Sequence, residues 1–244
     1  MDRNFARALA LVLRSEGGWS DNPADPGGAT MKGVTLANFR RYVKPGATKA
    51  DLRAISDDQV ATVYRRFYWD AVAGAELPDG VDYAVFDFAV NSGPGNAAKY
   101  LQAVAGVTQD GRIGPATLGA VRATPAGVVI DQLCDVRLAF LRRLPTWPTF
   151  GRGWSDRVKS VRAQALSMSA RGANSAAVQP PETVSAPSAN PISAANTPQA
   201  GPTPPASRNS GVVIAAKAGG FVAGCLLAAY ATWHHIATAL QEIF

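Results

Sequence analysis

Near residue 172 the composition of this chain changes so sharply that it separates what can fold on itself from what cannot. Residues 172–210 consist mainly of Ala, Pro, Ser, Thr, Asn and Gln, with eight prolines and no aromatic residue. Such a stretch cannot bury enough apolar surface to offset the entropy of ordering it, so it is expected to be an extended tether. A core must therefore come from residues 1–171, which also hold 22 of the 24 Lys and Arg and 16 of the 18 Asp and Glu. The net charge of +6 belongs to that part and suits a polyanionic partner: nucleic acid, an anionic membrane surface or a bacterial wall with its carboxylates. No Lys/Arg cluster interleaved with aromatics and no helix-turn-helix or zinc pattern occurs, which argues against nucleic acid.

The chemistry open to residues 1–171 is restricted as well. The only histidines are His234 and His235, and the two cysteines, Cys134 and Cys225, each fall in an apolar pattern. Cys-His and Ser-His-Asp catalysis and a His/Cys metal site are excluded from this part, and no cofactor is expected. Carboxylate chemistry remains. Phe5, Leu9, Val12 and Leu13 recur at intervals of three and four and predict an amphipathic helix from about Arg3 to Ser15. Glu16 follows at its end, where the helix dipole disfavours the charged carboxylate and suits a general acid. Gly17 and Gly18 stand where a helix commonly stops in the left-handed conformation, and Pro23, Pro26, Gly27 and Gly28 keep regular structure from resuming before about Val34. Asp25 lies nine residues after Glu16 in this loop, and Thr30 and Thr35 supply hydroxyls. Two carboxylates in unlike environments are the arrangement that divides the work of glycoside hydrolysis, although a solvated cap residue followed by a connector has the same local sequence.

The stretch resembles the N-acetylmuramidases of glycoside hydrolase family 108, with its Glu-Gly-Gly-aromatic, Pro-x-Asp-x-Gly-Gly-x-Thr and Gly-[Ile/Val]-Thr signatures. Glu16, Gly17, Gly18, Trp19, Pro23, Asp25, Gly27, Gly28, Thr30, Gly33, Val34 and Thr35 occupy those places. The resemblance implies a mainly α, lysozyme-like domain that cleaves peptidoglycan, with Glu16 as the acid. It also implies the Glu, Asp, Thr order of phage lysozymes, in which Thr30 matches better than Thr35, the latter being suited to cap the next helix.

Leu36 to Val43 reads as a short helix, and Ser56 with Gln59 forms a capping box opening a helix that runs to about Trp69. Of its aromatic residues, Tyr68 and Trp69 either belong to the core or, together with Trp19, line a sugar cleft. Helices follow at about Asp79 to Ser92 and Pro94 to Ala105. Asp87 and Asn91 share a face of the first, either to bond a neighbouring loop or to touch substrate, and their surroundings resemble the family's Phe-Asp-x-x-Val-Asn-x-Gly stretch. Asp110-Gly111 and Gly114-Pro115 make turns, and the segment resembles the peptidoglycan-binding region that accompanies the family's catalytic part; it serves equally as a structural turn. Helices from Ala126 to Leu144 and from Trp154 to about Ser169, the latter with several Arg and Lys outward, complete the folded part. The expected divisions are 1–90 for catalysis, 91–171 for wall binding packed upon it, 172–210 for the tether and 211–240 for a transmembrane helix.

That last segment carries Lys217 as its one charge and is long enough to span a bilayer if Lys217 snorkels, while a buried or oligomerising helix is the alternative. The amphipathic first helix, with Arg3, Arg7 and Arg14, does not read as an export signal. Arg208 and Lys217 before the apolar helix place the folded part on the cytoplasmic side of an inner membrane. A wall-acting enzyme in that position requires a delivery partner, such as a holin-like pore or a secretion system. The expectation is thus an N-acetylmuramidase acting on the periplasmic wall, with Glu16, Asp25 and Thr30 as catalytic residues and Trp19, Tyr68, Trp69, Asp87 and Asn91 as substrate contacts. Its alternatives are a non-catalytic wall-binding membrane anchor and a chitinase-like glycosidase.

Overall fold

The computed structural model describes residues 4–22 and 28–177. They form a mainly helical fold: α1 (Phe5–Leu13), a two-stranded hairpin β1 (Thr30–Met31) and β2 (Val34–Thr35), then α2 (Leu36–Tyr42), α3 (Lys49–Arg53), α4 (Asp57–Tyr64), α5 (Val81–Ser92), α6 (Pro94–Ala105), α7 (Pro115–Ala123), α8 (Ala126–Arg142) and α9 (Trp147–Ala177). The layout follows from α5. Every residue of this helix except Asn91 is buried, the pattern of a helix surrounded by protein, and α1, α6, α8 and α9 pack around it. One continuous apolar cluster runs from Ala8 to Met168, so the expected regions 1–90 and 91–171 share a core.

Local sequence sets several boundaries. Thr35 caps α2 by accepting the Asn38 amide, and reciprocal capping boxes open α3 (Thr48 and Asp51) and α4 (Ser56 and Gln59). Pro94 and Pro115 occupy first turns, where the missing N–H has no intrahelical partner to lose. After α4 the chain continues as a π-helical turn, Arg65–Trp69, whose wider winding turns both Tyr68 and Trp69 inward. Trp69 lies edge-on to Phe5 and Phe86 at 5.4 and 5.3 Å between ring centroids. Its ring leaves no room for a side chain at Gly74, whose Cβ would fall 2.5 Å from it.

The hairpin, absent from the sequence reading, pairs Thr30 with Thr35 and Met31 with Val34 around Lys32-Gly33, both at positive φ. Its tip is anchored to α4: the Tyr64 hydroxyl donates to the Lys32 carbonyl at 3.1 Å and the Lys32 ammonium pairs with Asp57 at 2.6 Å. α1 ends earlier than expected, capped by Arg14, and the next amides, of Ser15 and Glu16, return to Val12 and Leu13 in a tightened last turn. Neither Gly17 nor Gly18 adopts positive φ, so the expected left-handed stop is absent. α9 corrects two further expectations, starting at Trp147 and extending through Ala177 across the start expected for the tether. No helix among the described residues is long and apolar enough to cross a membrane. The expected span at 211–240 and the remainder of the tether lie outside the described residues.

Candidate active site

Glu16 stands two residues beyond the cap of α1, with its side chain only 1% exposed. The alternative of a solvated cap residue therefore does not describe it. Its Oε1 lies 3.8 Å from Nη1 of Arg157, which α9 presents from its buried side at 9% exposure. The same guanidinium grips Asp87 of α5: Nη2 donates to Oδ1 at 2.8 Å, and Nε reaches both carboxylate oxygens at 3.2 Å. Asp87 also accepts from Nη1 of Arg137 of α8, Oδ2 being 2.7 Å away. Arg137 and Asp87 are each 2% exposed, and the Arg137 guanidinium lies over the Phe88 ring, 5.1 Å from its centroid. Glu16, Arg157, Asp87 and Arg137 form a line of alternating charge through the centre of the fold.

The electrostatics of the line follow from its burial. Loss of water would raise the Asp87 carboxyl, but the charges of Arg157 and Arg137 and their hydrogen bonds hold it below the ordinary carboxylate range. Burial also works against the charged form of Arg157, and the Asp87 charge, aided by Glu16, outweighs it, so its pKa is raised. Tyr83, one turn before Asp87, has its phenol pushed upward, chiefly by burial and then by the Asp87 charge.

Of the other expected site residues, Thr30 is tied to the segment after Glu16 through its backbone. Its N–H and carbonyl exchange hydrogen bonds with Ser20 at 2.8 and 2.9 Å, and its hydroxyl donates to the Gly28 carbonyl at 3.2 Å. Thr30 is 4% exposed. Asp25 lies outside the described residues. Trp19 is half-buried, with the Arg53 guanidinium stacked 4.4 Å from its ring centroid. It lines a cavity of about 440 Å³ with Asp21, Lys49, Ala50, Arg53 and Ala54, where Lys49 pairs with Asp21 at 2.9 Å. Tyr68 and Trp69, 2% and 1% exposed, lie in the core and present no face for a sugar. Asp87, expected to touch substrate, has both oxygens occupied by arginines. Asn91 is half-buried and accepts a hydrogen bond from the Ser92 hydroxyl at 3.2 Å. Among the described residues no group of His, Cys, Asp and Glu is placed to hold a metal ion.

Residues 9–93 match the family described as Glycosyl hydrolase 108. The chain is also similar to the solved structure of SagA from Brucella abortus, at 49% identity over 68% of this chain and 95% of that chain, with a TM-score of 0.61. The chain belongs to glycosyl hydrolase family 108. It is a glycoside hydrolase, as the resemblance implied. No curated protein sequence matches it.

Glu16 and Asp87 fall inside the stretch matched to family 108, whereas Arg137 and Arg157 lie beyond it. The sequence reading missed both arginines, although a signal exists. Arg137 continues the buried positions Ile130, Leu133 and Cys134 toward Leu141, and Arg157 sits between Trp154 and Val161 on the buried face of α9. A charge on an apolar stripe implies a buried countercharge.

Proposed function

We propose that this family 108 enzyme is a peptidoglycan hydrolase of the N-acetylmuramidase type, cleaving the bond between N-acetylmuramic acid and N-acetylglucosamine. Glu16 protonates the leaving glycosidic oxygen. Asp25 stabilises the oxocarbenium-like transition state or orients water, and Thr30 assists. The observation that carries the reading is the setting of Glu16: a carboxyl withdrawn from water just beyond the end of α1, within the family 108 match. The backbone pairing of Ser20 with Thr30 holds the hydroxyl-bearing strand against the segment that follows the acid. Trp19 lines a cavity together with Lys49 and Arg53, whose positive charge suits an anionic glycan.

The test is loss of turbidity of purified walls, followed by identification of the new reducing ends. Glu16→Gln keeps the shape of the side chain and leaves Arg157 its pairing with Asp87, so folding is expected to survive. The rate should fall by about two to four orders of magnitude, the value of one general acid. Retention of more than about a tenth of the activity would place the acid elsewhere. New N-acetylmuramic acid reducing ends are expected; ends at N-acetylglucosamine would reject the muramidase assignment.

A further inference from the structure

Arg157 has two carboxylate neighbours and treats them differently. Nε and Nη2 bind Asp87 at hydrogen-bond distances, and only Nη1 is turned toward Glu16, at 3.8 Å. Swinging the guanidinium away would strip Asp87 of one partner in a place with almost no water, and unpaired buried charge is costly. Asp87 is in turn held from its other side by Arg137. The cation beside Glu16 is therefore clamped by groups from two further helices. We propose that Arg157, clamped by Asp87 and backed by Arg137, is a positioning residue that orients the Glu16 carboxyl and sets the pH at which it releases its proton.

This inference rests on the reading of Glu16 as the acid and extends the working site beyond the segment matched to the family. Among the described residues Arg157 from α9 stands beside Glu16, Asp87 and Tyr83 from α5 stand around that guanidinium, and Arg137 from α8 stands beyond Asp87. Asp87 is held ionised, while Arg157 and the Tyr83 phenol have proton affinities raised above their ordinary values. Asp87 and Arg157 therefore keep their charges through the range in which carboxyls ordinarily titrate. A positive charge at this distance favours the carboxylate, and its removal should leave Glu16 protonated to higher pH.

The chain contains four glutamates, Glu16, Glu76, Glu182 and Glu242, so labelling the glutamate carboxyl carbon with ¹³C gives four NMR signals, and Glu16→Gln identifies one by its loss. In Arg157→Gln the Glu16 midpoint should move up by about one to three pH units, and the alkaline limb of wall lysis should move with it. Arg157→Lys, which restores the charge without the fork that grips Asp87, should return the midpoint most of the way to wild type. If Arg157→Gln does not fold, the triple change Asp87→Asn, Arg137→Gln and Arg157→Gln removes the buried charges of the clamp together and should move the midpoint in the same direction. An unmoved midpoint in whichever variant lacking the Arg157 charge folds overturns the inference, as does a moved midpoint with an unmoved activity limb. Failure of the functional reading looks different: Glu16→Gln would then still lyse walls, whatever the NMR titration shows.

Discussion

Asp82 and Asp87 lie five residues apart on one buried helix, yet their surroundings drive them in opposite directions. Asp82 accepts from the amides of Gly80 and Tyr83 and from Asn4, but burial dominates, the Asp79 charge adds to it, and the carboxyl is raised to about 6. The folded state therefore holds this proton more tightly than the unfolded chain. The associated stability is present below the ordinary carboxylate value of 3.8 and is lost as pH rises through about 6. The loss is at most about 3 kcal/mol, taking 1.36 kcal/mol per pH unit. Asp87 has the opposite sign: its contribution is present above the ordinary carboxylate range and lost as pH falls through its depressed value. Urea midpoints of wild type and Asp82→Asn at pH 4 and pH 7 isolate the first effect. The variant should gain on wild type by up to about 3 kcal/mol between the two, and a constant difference would refute it. For Asp87, Arg137→Met removes one of the two cations that hold it and should cost about 3–5 kcal/mol of unfolding free energy at pH 7. A cost below about 1 kcal/mol would mean that Arg157 alone satisfies the carboxylate.

At the scale of elements, the sequence is legible where an element announces its own ends. The range Pro94–Ala105 is readable to the residue because a proline at the first turn and a glycine after the last both fall outside the apolar pattern. The caps at Thr35 and Ser56 are equally local. The hairpin is not, because two-residue strands are too short to show alternation and Lys32-Gly33 is a weaker turn signal than Asn-Gly. The start of α9 is hidden by Pro148, Gly151 and Gly153, which read as breakers; in the fold Pro148 lies in the first turn and Gly151 is covered by the Trp147 ring, 2.6 Å from where its Cβ would be. Glu16 could be found from a local motif, whereas Arg157 acquires its meaning only when α9 docks on α5. That docking is close at Gly80, which has φ +86° and whose Cβ would fall 2.2 Å from the Ala165 carbonyl oxygen. Gly80→Ala combines backbone strain with a push against α9 and should cost about 2–5 kcal/mol. Because Arg157 rides on α9, lysis should fall more steeply than the folded fraction; activity that simply follows the folded fraction would separate the helix contact from the site.

For the whole molecule, the boundary drawn by the family match and the boundary drawn by packing disagree. The match ends at residue 93, just after α5, but α5 is buried on all sides only because α6, α8 and α9 complete its surroundings. A chain ending at 93 would expose Val85, Phe88, Ala89 and their neighbours to water and leave Asp87 without either arginine. Removing both cations from a buried carboxylate is one of the few changes expected to cost more than about 4 kcal/mol, a large part of the net stability of an ordinary domain. A chain ending at 177 keeps the whole apolar cluster and the charged line. It should show one cooperative urea transition and wall lysis within about twofold of the full chain, a small change on the free-energy scale. The 1–93 fragment should show neither a cooperative transition nor lysis. Circular dichroism through the transition, with turbidity measured on the same preparations, checks both halves. Lysis by 1–93 alone would mean that the site assembles without Arg157, and would count against the clamp on Glu16 as well as against one shared core.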